Sequence, residues 1–200
     1  MVEIIDATSY FGCLQGVIKS LSMDPIEQVR DCLLNAYEHD QMVFLFGNGG
    51  SAALASHLAC DLGKGTAGHN RKGFRVLALT DNVPTMTAWA NDSKYEDIFA
   101  EPLANFVKRG DVAFAISGSG NSPNVLRALR VARDAGAITL GLSGFQGGKM
   151  RELCDTCIIV PCDNMQIIED VHLSIAHALF ITVRRSLSER SEAAVAGVGD

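Results

Sequence analysis

Two short stretches combine glycine with hydroxyl and amide side chains: Gly47-Asn48-Gly49-Gly50-Ser51 and Ser117-Gly118-Ser119-Gly120-Asn121-Ser122. Each follows an apolar run, and each precedes a segment of helical periodicity, so each reads as strand, turn, helix. A helix N-terminus carries unpaired N–H groups and the positive end of the peptide dipoles. Glycines let backbone approach a bound anion, and serine hydroxyls donate to its oxygens. That is the chemistry of a phosphate cradle. An ordinary turn with Ser122 as N-cap uses the same residue types. The second turn has neither the lysine of a Walker loop nor the G-x-G-x-x-G spacing, so it does not imply a nucleotide.

A second group of residues suits metal or acid/base chemistry. His57 and Asp61 stand at i and i+4, on one face of the helix after the first turn. An imidazole and a carboxylate there could hold zinc or another divalent metal, or be a surface or subunit-contact pair. Near the C-terminal end stand Glu169, Asp170, His172 and His177. Glu169 and His172 share a face. Glu169 and His177 lie about 80° apart around the helix and about 12 Å along it. That is a long span for two ligands of one ion, so they would have to lean together or serve different subunits. Asp170 is expected to be a polar residue on an interface helix. Lys64, Arg71 and Lys72 flank the first turn and are expected at the surface. Ser51 has no base beside it in sequence, so a serine nucleophile is unsupported. Cys154 and Cys157 have C-x-x-C spacing, but without a second ligand pair they are expected as free core thiols.

Positioning these groups requires a framework, and the apolar pattern supplies one. The chain has 200 residues, 48% of them hydrophobic and 20% charged, which suits one domain with a sizeable core. A net charge of -6 argues against a general nucleic-acid binder. No uninterrupted apolar run reaches the roughly 20 residues of a membrane span, and the start lacks a basic region. A cytoplasmic protein with no membrane partner is expected. Residues 7–38 read as two helices, with Asp24 as N-cap and Pro25 in the first turn of the second. Strands are expected at 42–46, 76–79, 112–116, 138–142 and 156–160. Helices are expected at 52–62 (ended by Gly63 and Gly65), 81–90 (broken by Asn91-Asp92-Ser93), 95–106 (with Pro102 the alternative start of a new helix), up to 135, 149–154 and 166–184. Residues 1–188 are taken as one domain and 189–200 as a disordered tail. Strands alternating with helices give an α/β fold: a doubly wound, flavodoxin-like, five-stranded parallel sheet with an N-terminal helical arm. Such sheets bind ligands at the carboxyl ends of their strands, where both Gly/Ser turns lie.

With these motifs in place, the chain resembles the sugar isomerase (SIS) domain family over residues 8–187. Within it, the resemblance is to the branch that converts sedoheptulose 7-phosphate to D-glycero-D-manno-heptose 7-phosphate. The resemblance rests on Gly47-Asn48-Gly49-Gly50-Ser51 with His57, on Ala90-Asn91-Asp92, and on Ser117-x-Ser119-Gly120-Asn121-Ser122. Gly147-Gly148-Lys149-Met150 and Ile168-Glu169-Asp170-Val171-His172 with His177 add to it. It implies a homotetramer with active sites at subunit interfaces. It implies substrate contacts from Asn48, Gly49, Gly50, Ser51, Asp61, Asn91, Asp92, Ser117, Gly118, Ser119, Ser122 and Glu169. It implies zinc on His57, Asp61, Glu169 and His177, and proton transfer by Asp61 and His177. Asp61 stands where the family usually has glutamate, and Glu169 where it usually has glutamine. A carboxylate and an imidazole could move the protons of an aldose–ketose isomerisation through an enediol. Other readings are a non-catalytic SIS module that binds a sugar phosphate or a partner protein, or an isomerase of another sugar phosphate. The metal-ligand and acid/base residues favour the enzyme.

Overall fold

A computed structural model of the chain describes residues 4–68 and 71–196, with side chains to residue 191. Among the described residues the elements are α1 (Ala7–Lys19), α2 (Asp24–Glu38), β1 (Val43–Gly47), α3 (Gly50–Cys60), β2 (Val76–Ala78), α4 (Val83–Asp92), α5 (Ala100–Ala104), β3 (Val112–Ser117), α6 (Pro123–Asp134), β4 (Ile138–Ser143), α7 (Met150–Leu153), β5 (Thr156–Ile159) and α8 (Met165–Ala196).

Strands β1 and β3 are buried at every position, as parallel strands covered on both faces must be. Successive side chains alternate between two cores. Val43, Leu45, Val112, Phe114 and Ile116 pack with Leu33 of α2, Leu58 of α3, and Ile168, Val171, Ile175 and Leu179 of α8. Phe44, Phe46, Ala113 and Ala115 pack on the opposite face with Leu103 of α5 and Val125 and Leu129 of α6. The sheet order is β2-β1-β3-β4-β5, with all pairs parallel. Gly47 lies opposite Ile116, so the turns that leave β1 and β3 emerge side by side. From β1 the chain moves outward to β2, and from β3 it moves the other way to β4. Their helices α3 and α6 cover opposite faces, so a crevice opens between the two strand ends.

Several boundaries differ from the sequence expectation for identifiable reasons. Helix α2 already includes Asp24, and its N-cap is Met23. The helix after β1 is not capped by Gly63 or Gly65; after Cys60 it widens into a π-helical turn, Asp61–Gly65. These glycines act through close packing. A Cβ on Gly65 would meet the Phe180 ring at 2.7 Å, and one on Gly73 would meet the Gly63 carbonyl oxygen at 1.7 Å. Strand β2 is a three-residue edge strand with Leu77 exposed. Helix α4 runs through Asn91 and Asp92 and is capped at Ser93. The expected helix at 95–106 is a 3-10 turn, Tyr95–Asp97, and then the short α5.

The last helix continues to Ala196, past the expected boundary at 188. An i,i+4 ion pair, Arg185 to Glu189 at 2.7 Å, and an ion pair from Arg190 to Glu38 of α2 accompany the extension. Positions 197–200 of the expected tail lie outside the described residues. By length and composition α8 could cross a bilayer, which a search for an uninterrupted apolar run misses. Here Ile167, Ile168, Val171, Ile175, Leu179, Val183 and Leu187 of α8 are buried against the sheet and helices. Helix α1 opens with an Asp6/Ser9 capping box, and among the described residues it buries no side chain. It lies on α8, where the Tyr10 hydroxyl donates to Asp170 Oδ2 at 2.6 Å.

Candidate active site

Each Gly/Ser turn is shaped by its sequence and held from behind. Gly49 adopts φ +54°, which a residue with a side chain rarely takes, and it starts α3 with no capping side chain. Ser51 N–H donates back to the Asn48 carbonyl at 3.0 Å and Ala52 N–H to that of Gly49 at 3.0 Å, so among the described residues the N–H that the start of α3 leaves for the crevice is that of Gly50. In the second turn Gly120 has φ +64°, and a Cβ there would meet the Gly147 carbonyl oxygen at 2.1 Å. The backbone of that loop clasps the turn: Met150 N–H donates to the Gly120 carbonyl at 2.9 Å and Gly144 N–H to that of Gly118 at 2.8 Å. Lys149 N–H donates to Asn121 Oδ1 at 3.1 Å, and Ser143 Oγ donates to the Ser117 carbonyl at 2.9 Å. Ser122 occupies the N-cap position of α6 but makes no capping bond; its Oγ stands 3.4 Å from Ser117 Oγ. That hydroxyl is available to an anion, as a cradle requires.

The two turns are tied together. Asn48 Nδ2 donates to Asn124 Oδ1 at 2.9 Å, and Asn124 Nδ2 donates back to Asn48 Oδ1 at 2.8 Å. Tyr95 Oη also donates to Asn48 Oδ1, at 3.2 Å. A cavity of about 260 Å³ lies between them, lined by Asn48, Gly49, Gly50, Ser51, Ser117, Gly118, Ser119, Ser122, Met165 and Glu169. A second cavity of about 280 Å³ is lined by Gly50, Ser51, Ala53, Leu54, His57, Glu169, Asp170, His172 and Leu173. Gly50, Ser51 and Glu169 belong to both walls, so the cradle and His57 share one continuous crevice. A Cβ on Gly50 would stand 3.0 Å from both Glu169 carboxylate oxygens, so this joining point accepts a residue larger than glycine only with a shift of the glutamate.

Beyond the second cavity three ligand-type side chains converge. His57 Nε2 is 3.2 Å from His177 Nε2 and 3.4 Å from Asp61 Oδ2. Ligand atoms of all three lie within 4.8 Å of one another. Bonds of about 2.0–2.1 Å to a tetrahedral zinc place neighbouring ligand atoms about 3.3 Å apart. The donor set and spacing therefore fit a divalent ion. Asp61 opens the π-helical turn, a feature often found at functional sites. Glu169 is not in this trio. It lies eight residues before His177 on α8, and its carboxylate faces Gly50 instead.

The remaining sequence candidates are scattered. Asn91 and Asp92 are exposed at the end of α4, where Asn91 Nδ2 donates to Asp92 Oδ1 at 2.8 Å, and neither lines the crevice. Arg71 and Lys72 line a different depression with Tyr37, Asp40 and Arg75. Lys64 is exposed. Cys154 and Cys157 are reduced and half-buried, and their sulfurs meet over Gly141, 2.8 and 2.9 Å from where a Cβ would stand. Sequence reading missed Asn124, Tyr95 and Ser143. Nothing local marks Tyr95, whereas Asn124 sits just inside the helix that follows the serine-rich turn. It also gave His172 no role of its own. His172 is 1% exposed, and burial pushes its pKa down to about 4. The Ser143 backbone approaches and opposes that shift, but among the described residues neither ring nitrogen has a partner in hydrogen-bonding geometry.

The chain is similar in sequence and fold to known proteins. The SIS domain family model matches residues 9–144. A phosphoheptose isomerase of Paramagnetospirillum magneticum is 43% identical over 156 residues, covering 78% of this chain and 81% of that protein. The solved phosphoheptose isomerase from Neisseria gonorrhoeae superposes with a TM-score of 0.81 at 28% identity, covering 88% of this chain and 95% of that one. The one from Francisella tularensis gives a TM-score of 0.82 at 28% identity, covering 89% and 96%.

Proposed function

This chain belongs to the SIS domain family, and from that premise we propose that it interconverts sedoheptulose 7-phosphate and D-glycero-D-manno-heptose 7-phosphate through an enediol or enediolate. It is a phosphosugar isomerase by its relatives; the seven-carbon substrate and the residue roles are the proposal. One observation carries it. The serine-lined cavity and the cavity reaching His57 share Gly50, Ser51 and Glu169, so a single extended ligand can touch both.

The phosphate is assigned to the Ser117–Ser122 turn and the start of α3, where N–H and hydroxyl donors surround an anion without a cation. Fixing this remote group sets the register of the reacting carbons. The open chain then crosses Gly50 and Ser51 toward Asp61 and His177. Asp61 takes a proton from C1 of the ketose, exchanges it with solvent while the enediol lasts, and delivers a proton to C2. His177 moves a proton from the C1 hydroxyl to the C2 oxygen, a task suited to an imidazole near neutral pH. The two roles together give an aldose with no net change in protons. Asn48, Ser51, Asn91 and Asp92 are proposed as further substrate contacts. Because Asn91 and Asp92 lie off the crevice of one chain, their role rests on a neighbouring subunit or on movement of α4.

A divalent metal, zinc being the ion these donors suit, would be held by His57, Asp61 and His177, with Glu169 the next carboxylate along the crevice. When bound it supplies positive charge for the developing enediolate. Asp61 and His177 each have a second heteroatom, so holding an ion does not exhaust them. A homotetramer with sites at its interfaces is part of the proposal. Phe11 and Ile18 of α1, and Leu173 and Ile181 of α8, are exposed apolar side chains that suit burial by further copies. The charge of a sugar phosphate bars it from bilayers, so the proposed place of action is the cytoplasm. Incubation with sedoheptulose 7-phosphate tests the substrate, and release of the aldose is the expected result.

A further inference from the structure

His172 lies on α8 between Glu169 and His177, in the wall of the cavity that contains His57. It is 1% exposed, the Ser143 backbone approaches its ring, and among the described residues neither Nδ1 nor Nε2 has a partner in hydrogen-bonding geometry. Leaving a buried polar group unpaired costs free energy, and native structures rarely do so without a reason. A neutral imidazole offers one N–H donor and one lone-pair acceptor. The group that satisfies such a ring must accept at one nitrogen and donate at the other. Hydroxyl groups do both, whereas an ionised phosphate only accepts. The anion-type donors of this crevice are in the other cavity, around Ser119 and Ser122.

We infer that His172 is a substrate-binding residue that hydrogen-bonds a hydroxyl of the open-chain sugar, making this cavity the polyol subsite beside a separate phosphate subsite. This rests on the sugar-phosphate reading of the crevice and adds a specificity-determining residue to it. Both nitrogens are covered in the free protein, so a shift of the ring toward the cavity accompanies the bound hydroxyls that complete it. Discrimination against ligands without those hydroxyls then follows, because they leave the buried nitrogens unsatisfied.

The test uses the full chain and two probes, sedoheptulose 7-phosphate and inorganic phosphate, with binding measured by calorimetry and unfolding by thermal melts. His172→Phe keeps a flat ring and removes both nitrogens, while His172→Asn restores a donor and an acceptor. The expected result for His172→Phe is a melting temperature equal to or above wild type. Its affinity for the sugar phosphate should fall about tenfold or more, with unchanged affinity for inorganic phosphate. His172→Asn should recover most of the sugar affinity. If His172→Phe does not fold, the same comparison is made between His172→Asn and His172→Ala, with sugar affinity kept in the first and lost in the second. Unchanged sugar affinity in the variants, or parallel loss of both probes with a lowered melting temperature, overturns the inference. Wild-type protein that binds the sugar phosphate without converting it removes the isomerase reading and leaves this one standing. Wild-type protein that binds inorganic phosphate but not the sugar phosphate overturns the polyol subsite itself.

Discussion

His57 and His177 are separated by 120 residues, yet their Nε2 atoms stand 3.2 Å apart. Two imidazoles at that distance, with Asp61 Oδ2 3.4 Å from the first, form a site that neither α3 nor α8 could build alone. Zinc should therefore bind this trio. Added zinc at about 100 times its dissociation constant should stabilise the wild-type fold by about 2.7 kcal/mol. His57→Ala and His177→Ala should lose that stabilisation in a melting-temperature titration while folding normally without metal. An equal zinc response in the variants would place the ion elsewhere.

Asp61→Asn keeps the shape of the side chain and removes its basicity. Turnover of sedoheptulose 7-phosphate should fall by about 10²–10⁴, with KM changed far less. His177→Ala should lose turnover on the same scale. Near-normal turnover by either variant would remove it from proton transfer.

Gly120 is fixed by its backbone and by its neighbour, since a Cβ would stand 2.1 Å from the Gly147 carbonyl oxygen. Gly120→Ala should destabilise the fold by roughly 2 kcal/mol or more and weaken phosphate binding together. Ser119→Ala should leave the melting temperature within about a degree of wild type and raise KM.

The Asn48–Asn124 pair joins the two turns through reciprocal bonds of 2.9 and 2.8 Å. A double-mutant cycle of Asn48→Ala and Asn124→Ala should show a coupling of about 1 kcal/mol. Additive effects on stability and KM would mean that the turns are positioned independently.

The bond from Tyr10 to Asp170 raises the Tyr10 pKa from 10.0 to about 12, chiefly because the hydroxyl donates to the carboxylate. The folded chain then keeps a proton that the unfolded chain releases first. The contribution is complete below pH 10 and declines as pH rises from there toward 12. Melting curves from pH 9 to 11.5 should show a smaller alkaline loss in Tyr10→Phe than in wild type. Parallel curves would show that α1 is held on α8 by other contacts.

Where apolar periodicity governs, the fold could be read in advance. The continuous runs that became β1 and β3 read as strands covered on both faces because they are short and bounded by glycine-rich turns, and a doubly wound sheet followed from alternating strands and helices. Tertiary packing set what periodicity could not. The π-helical turn at Asp61 accompanies close glycine contacts with Phe180 and Gly73, partners 115 and 10 residues from Gly65 and Gly63. The continuation of α8 pairs Arg190 with Glu38, a contact invisible in the local Ser/Glu/Ala composition. The same limit applied to the site. His57 and Asp61 were legible at i,i+4 spacing, whereas the length of helix between Glu169 and His177 left open whether they lean together or serve different subunits, and in this chain Glu169 stands outside the His57, Asp61 and His177 group. Asn124 and Tyr95 were not legible, because their role is to hold a turn from a distant element.

The central claim is that this crevice isomerises an anchored ketose through an enediol, and it is tested most directly in deuterium oxide. Sedoheptulose 7-phosphate incubated with the protein in D2O should yield the aldose with solvent deuterium at C2, seen by proton NMR, and Asp61→Asn should yield neither product nor label. Wild-type protein, supplied with zinc, that returns the ketose unchanged and unlabelled would contradict the account.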